Sequence, residues 1–407
     1  MVYLIVLAIL FYCIYTYDFK KKKVGDMVFY ISICIFLIAI AGLRYRIGGD
    51  SIAYESSYRN LKPLYELSSF KFSILRWEPG FIVFASIPKS FSNDFMFFQF
   101  FHATIVNGII FWFAAKNTNN KYIAITLYAV CLYLNLNTEV LRESLAVCCF
   151  LLAWPFFRSG KWYFYYPLVL LAMTFHISAS ITLFLPLCTL PGIRRAFKLG
   201  FITIIISCVI LVIFYLIQRK FYSIIQLMNI NETLTDRAQE YSKISYGGMV
   251  LNFLGIIEHA VKTIFIPALA LYFMKLRMKT IGDPVAKKRF EKLEIIVVTG
   301  IYFAVATMIL FIAGRFNNYI AMFNYVLIAS CFFSTIRVRT KRLRLQPSTW
   351  FLIFVMILAI NFKGYFAGTY GSASNKRYML YYPYSSRLAP EDDPDREEIL
   401  RFALHYR

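Results

Sequence analysis

Charged residues are scarce in this chain. They make up 16% of its 407 residues, where a soluble domain carries about a quarter. Acids are scarcer than bases, 22 Asp and Glu against 44 Lys and Arg, for a net charge of +22. The eight cysteines (Cys13, Cys34, Cys131, Cys148, Cys149, Cys188, Cys208 and Cys331) all fall inside apolar runs, and none shows the C-x-x-C spacing of a metal site. They read as small apolar packing residues. No Gly-rich phosphate loop ending in Lys is present, no H-E-x-x-H and no G-x-S-x-G. Zinc and nucleotide chemistry are thereby disfavoured. Any reaction must draw on a substrate that is already activated rather than on ATP.

What the chain does have is apolar surface. Apolar residues make up 59% and aromatics 19%. The charges come in bursts between apolar runs of about 15 to 25 residues, lengths that span a bilayer as helices. The fold class expected is an all-α polytopic membrane protein. The basic residues sit in short connectors, which is the signature of membrane orientation rather than of nucleic-acid binding. The first apolar run, Val2 to Tyr17, is followed by Lys20, Lys21, Lys22 and Lys23. A signal peptide carries its positive charge before the apolar stretch, so this run reads as a first span with its N-terminus outside.

The expected spans are about twelve: 2–17, 27–43, 94–115, 122–136, 140–157, 162–175, 177–190, 199–218, 249–274, 293–313, 316–336 and 349–366. With this alternation every strongly basic connector falls inside, among them Lys116 with Lys121, Arg158 with Lys161, and Arg194 with Arg195. One step is forced. Residues 162–190 begin and end at basic connectors, so they must cross twice, turning near Thr174 to Ser178, although a single deep helix competes. Residues 1–366 form one transmembrane domain with outer loops 44–93 and 219–248, and 367–407 form an extracytoplasmic tail that is Tyr-rich and then acidic. Phe81 to Pro88 is apolar but too short to span, so it is expected to dip in and return. The chain shows no internal repeat.

The outer face collects the residues able to do chemistry. Charge at the edge of a membrane is costly and marks a pathway or a site. Arg44 and Arg46 stay charged at any accessible pH and match phosphate oxygens with a planar fork. Gly48-Gly49 beside them allows close backbone approach. Interfacial anchoring is the alternative for each arginine. Asp50 can pair with either arginine, accept a sugar hydroxyl or act as a general base. Glu78 precedes Pro79-Gly80, where a carboxylate can cap a helix or act on substrate. Arg142 falls in the first turn of a helix, where the dipole disfavours a cation. That conflict points to an anionic partner, either a substrate or Glu139 at i, i+3. His176 sits at the break between two passes and serves as a structural residue, a base or a hydroxyl ligand. Arg315 stands alone at another outer turn. Glu258 and His259 lie in mid-span, as part of a polar core or a relay.

These segments resemble a known family. Arg44 to Asp50 followed by Tyr54 resembles the R-x-G-x-D-x-x-x-Y start of EpsG-like proteins, which are Wzy-type polysaccharide polymerases. Arg142-Glu143-Ser144-Leu145-Ala146 is similar to their R-Q-x-x-A helix start, with Glu143 where Gln is usual. Phe175 to Ala179 is similar to their F-H-x-S-A segment. Gly314-Arg315-Phe316 with Tyr319 resembles their late R-x-x-x-Y, and Tyr382-Pro383-Tyr384 their tail. The resemblance implies a GT-C-like helical fold in a bacterial inner membrane, with the active site facing the periplasm or exterior. It implies a glycosyltransferase whose donor and acceptor are both undecaprenyl-pyrophosphate-linked oligosaccharides. The product is a capsule, exopolysaccharide or O-antigen. It implies no nucleotide sugar, no metal and no other cofactor, with a chain-length regulator as an expected partner. Arg142, Arg315 and Tyr319 would then bind the pyrophosphate with Arg44 and Arg46. Asp50, Glu78 and His176 would activate or hold the acceptor hydroxyl.

Three other classes compete. A flippase for the same lipid-linked glycan would distribute charge along a central path and carry inverted repeats. A glycan ligase or acyltransferase could share the membrane layout, with His176 as its catalytic histidine. A scaffold protein would leave the outer arginines without a purpose.

Overall fold

A computed structural model describes residues 2–69, 77–196, 209, 253–280, 284–307, 314–332, 336–338, 341–343, 347–366 and 377–405. The expected span 199–218, except residue 209, and the outer loop 219–248 lie outside the described residues, as do 70–76 of the first outer loop and 367–376 of the tail.

The chain forms two compact units. The first holds residues 1–186, 325–334 and 345–407. Its helices follow from local signals. α1 (Val2–Cys13, continued by a π-helical segment, Ile14–Phe19) and α2 (Asp26–Leu43) are apolar apart from Asp18 and Asp26 near their ends on the lysine side. α3 (Ser51–Asn60) is short and polar. α4 (Pro79–Lys89) starts with proline at its first position, where the missing N–H costs nothing. α5 (Phe95–Asn117) is capped by Asp94, whose carboxylate accepts from the Met96 N–H at 2.9 Å. α6 (Lys121–Cys131) is followed by a π-turn, Asn135–Glu139. α7 (Leu141–Ser159) ends at Gly160, φ 73°, a left-handed stop that only glycine adopts freely. α8 (Trp162–Phe175) ends at His176, which is extended.

The core of this unit lies between α2, α5, α7 and α8, with Phe98, Phe113, Tyr128, Phe150, Phe157 and Tyr165 fully buried. A closed polar network sits inside it. Tyr128 donates to Asn107 Oδ1 at 2.8 Å, and Asn107 donates to Asn137 Oδ1 at 3.0 Å. Asn137 in turn donates to the Tyr128 oxygen at 3.0 Å and to the Tyr133 carbonyl at 2.9 Å. A buried network that satisfies its members rigidifies the packing around it.

Among the described residues four helical stretches are long and apolar enough to cross a membrane: Val2–Phe19, Asp26–Leu43, Phe95–Asn117 and Ile257–Lys279. These match four of the twelve expected spans and support a helical membrane protein. The expected 122–136 span is shorter, its helix stopping at Cys131, whereas the turn expected near Thr174 to Ser178 falls at His176. The short apolar segment expected to dip is α4, packed against α5 and α8.

The break at His176 is a reversal. Tyr165 donates to the Thr182 carbonyl at 2.6 Å. Seventeen residues of continuous helix would hold those groups about 25 Å apart. Residues 177–189 therefore return along α8 as a 3₁₀ helix, and the single deep helix is excluded.

The second unit holds residues 187–324 and 335–344. Its described helices include Ile266–Thr280 and Pro284–Ala306, tied by Lys275 to Glu294 at 2.9 Å. Arg194 meets Glu291 at 2.5 Å. His259 Nε2 bonds the Ala304 carbonyl and Thr307 Oγ1, each at 3.2 Å, so this mid-span histidine links helices. A two-stranded antiparallel hairpin, β1 (Ile336–Val338) and β2 (Lys341–Leu343), adds a little sheet to the expected all-α fold.

Candidate functional site

Charged connectors gather at the two ends of the first unit. At one end Lys21 donates to Asn120 at 2.7 Å and Lys121 pairs with Asp26 at 2.8 Å. Those residues come from the basic connectors read as cytoplasmic. α2 leads away from this end over 18 residues, about 27 Å at helical rise. At its far end stands the loop Arg44–Asp50.

There the Arg142 guanidinium meets the Glu78 carboxylate at 2.7 Å. Arg142 occupies the first turn of α7, against the helix dipole. Glu78 occupies the N-cap position of α4 but makes no side-chain cap bond. The carboxylate is spent on Arg142 instead, so helix capping is not its role. Tyr54 of α3 shares a side-chain hydrogen bond with Arg142. Burial raises the Tyr54 hydroxyl above its usual pKa, and the neighbouring guanidinium draws it part of the way back. The ion pair keeps 27% and 21% of its two side chains exposed, so it stays within reach of a ligand.

Glu139 does not pair with Arg142 as the i, i+3 reading allowed. Its Oε1 accepts from the Gly49 N–H and from the Tyr381 hydroxyl, each at 2.8 Å. One carboxylate oxygen thus holds the 44–50 loop and the C-terminal tail together. The glycines serve this approach. Gly48 has φ 96°, and a Cβ there would meet the Thr138 Cβ at 2.6 Å. The close approach expected of Gly48-Gly49 is to the protein's own Thr138–Glu139.

The two loop arginines have separate surroundings. Arg44 is buried, and its Nη1 donates to the Ala41 carbonyl. Tyr133 and Tyr384 donate to Leu37 and Ile40 carbonyls at 2.6 and 2.9 Å, so three side chains cap the end of α2. Arg46 has a left-handed backbone, φ 48°, and pairs with Glu397 and, at 3.6 Å, with Asp392 of the tail. The tail supplies the partners that Asp50 was expected to supply. Asp50 itself takes the N-cap position of α3, one turn before Tyr54, whose N–H bonds its carbonyl at 3.0 Å.

His176 reaches the same end of the unit through α8. A Cβ on Gly80 would overlap Thr174, so the start of α4 lies directly against the last turn of α8. The Ser178 N–H approaches His176 Nδ1 at 3.2 Å, and the Ser178 hydroxyl at 2.6 Å. An N–H donor requires a lone pair on Nδ1, which assigns the ring proton to Nε2.

The first unit therefore brings together Asp50, Glu78, Arg142 and His176, with Arg44 and Arg46 on the adjoining loop. Arg315 and Tyr319 belong to the second unit. There Arg315 is exposed just ahead of the helix Phe316–Cys331, and the Tyr319 side chain is buried. Sequence reading overlooked Tyr54, Glu139 and Tyr381 as site components. Tyr54 carried a signal, since it stands inside a quoted motif. It also overlooked His102, fully buried in α5, whose Nε2 bonds Ser144 Oγ at 2.8 Å and the Leu141 carbonyl at 3.1 Å. Among the described residues no cluster of three His, Cys, Asp or Glu could hold a metal ion.

No curated protein and no solved structure matches the chain. A family does: residues 27–386 match the EpsG family. That span covers most of the chain and contains every site residue placed above except the tail acids Asp392 and Glu397. The chain is thus a member of the EpsG family, whose proteins are Wzy-type polysaccharide polymerases.

Proposed function

We propose that this protein joins undecaprenyl-pyrophosphate-linked oligosaccharide repeat units into a surface polysaccharide, on the outer face of the bacterial inner membrane. The observation that carries the proposal is the partly exposed Arg142–Glu78 pair at the end of the first unit away from the lysine connectors.

The acceptor's non-reducing hydroxyl attacks the anomeric carbon of the donor. A new glycosidic C–O bond forms, the C–O bond to pyrophosphate breaks, and undecaprenyl pyrophosphate leaves with the electron pair. The hydroxyl proton passes to a carboxylate. Arg142 meets the charge growing on the pyrophosphate, which is electrostatic stabilisation of the transition state. Glu78 holds Arg142 in place before substrate arrives, so the guanidinium needs little reorganisation. Arg44 and Arg46 add positive potential on the adjoining loop. Asp50, at the N-cap position of α3 on the same loop, accepts the acceptor's proton. His176, with its ring proton on Nε2, suits a donor to a hydroxyl or phosphate oxygen. A chain-length regulator would act on the same growing glycan.

The test replaces each residue by alanine and reads polymer length on a gel. Arg142→Ala and Asp50→Ala proteins present at normal levels in the membrane should leave single repeat units. A ladder of normal length from both would overturn the proposal.

A further inference from the structure

We propose that Trp77, seated on Tyr54 and Phe81 beside the Arg142–Glu78 pair, is a stacking platform for a pyranose ring of the lipid-linked substrate. The proposal rests on the polymerase reading and adds a saccharide subsite to it.

Trp77 directly precedes Glu78, so the turn that delivers the carboxylate also delivers the indole. The indole meets Phe81 edge to face, with centroids 4.9 Å apart and planes at 81°. It meets Tyr54 at 5.9 Å and 37°. Phe81 is fully buried and Tyr54 nearly so, whereas Trp77 is half-buried. Two immobile rings thus fix the indole from below and leave the rest of it accessible. Tyr54 in turn bonds Arg142. Indole, phenol, guanidinium and carboxylate therefore form one continuous patch.

That combination selects a class of ligand. A sugar ring has apolar C–H faces and a rim of hydroxyls. The C–H face packs on an aromatic surface, while the rim needs both donors and acceptors, which a guanidinium–carboxylate pair presents together. A phosphate would need the cation but not the indole, and an isoprenoid chain would need the indole but not the ion pair. The other tryptophans with described side chains have different settings. Trp154 donates to Asn117 Oδ1 at 3.0 Å, Trp162 packs on Phe157 and Tyr165, and Trp112 lies within the apolar α5. The Trp77 indole N–H has no hydrogen-bond partner among the described residues, although such groups usually find one. It is available to a sugar hydroxyl.

The experiment compares Trp77→Phe, Trp77→Leu and Trp77→Ala with Arg142→Ala in cells. Polymer yield and length are read on gels, and protein level in the membrane by immunoblot. Leucine refills the contact with Phe81 but offers no aromatic face. The expected result is at least a tenfold loss of long polymer from the leucine and alanine proteins at normal membrane levels, with phenylalanine retaining most of it. Wild-type polymer from Trp77→Leu, with none from Arg142→Ala, would overturn the stacking proposal alone. Loss of all three Trp77 proteins from the membrane would overturn it too, since Trp77 would then be a packing residue. Normal polymer from Arg142→Ala would instead count against the polymerase reading beneath it.

Discussion

Arg142 and Glu78 are 64 residues apart in the chain and 2.7 Å apart in the fold. Each sits at the start of a helix, and neither satisfies its own helix. A cation in the first turn of α7 opposes the dipole, and the carboxylate ahead of α4 leaves its own N-terminus uncapped. The pair resolves the first conflict and explains the second.

Arg142→Ala should lower polymer formation by roughly 10²–10³, the cost of removing one such transition-state donor. Glu78→Ala should lower it less, since the arginine remains but loses its orientation. The double variant should be no worse than Arg142→Ala, because contacting residues that act together are not additive. Quantified gel ladders at matched protein level check this, and additive losses would mean independent roles.

Glu139 offers a graded test of the clamp between loop and tail. Tyr381→Phe removes one bond to a charged acceptor, about 1.5–3 kcal/mol before compensation by water. Glu139→Ala leaves both the Gly49 N–H and the Tyr381 hydroxyl without their acceptor and should cost more. Glu139→Gln keeps a carbonyl oxygen in place and should lie nearest to wild type. Thermal unfolding of the detergent-purified protein, followed with polymer yield, reads the order. A Tyr381→Phe protein less stable than Glu139→Ala would contradict it.

The start of α4 has no room for a side chain. Gly80→Val should drive α4 off Thr174 and carry Glu78 away from Arg142, abolishing polymer. Gly80→Ala should be milder, and adding Thr174→Ala should restore part of the activity by removing the Thr174 Oγ1, the nearest of the atoms that a Cβ meets. Failure of the second substitution to improve on Gly80→Ala would show that the contact does not position the site.

Gly48 faces two penalties at once. Alanine at φ 96° lies outside the conformations an L-residue adopts easily, and its Cβ would also strike Thr138. Gly48→Ala should therefore lower the unfolding midpoint, and Thr138→Gly, which removes the struck Cβ and Oγ1, should relieve only the steric part. A full rescue by Thr138→Gly would mean that the backbone relaxes at no cost.

Much of this was legible locally. Long apolar runs announced a helical membrane protein because bilayer thickness dictates their length. Pro79 marked a helix start through its own backbone preference. The polar break at His176 announced a turn, although its sense as a true reversal rested on the Tyr165–Thr182 bond. The small set of charges at the ends of apolar runs singled out Glu78, Arg142 and His176 because uncompensated charge there is costly.

The choice of partners was not legible. Arg46 had Asp50 close by in sequence and took Glu397 and Asp392 instead; Arg142 had Glu139 one turn away and took Glu78. A side chain's nearest neighbour in sequence is rarely its nearest in space once the helices pack. Composition and hydropathy by themselves determined a helical protein built for a membrane, with its chemistry gathered at the ends of its apolar runs, because those properties act over one turn or one bilayer. Which carboxylate meets which guanidinium was decided only by tertiary packing, since helix ends brought together by α4, α7 and α8 set distances that no local rule contains.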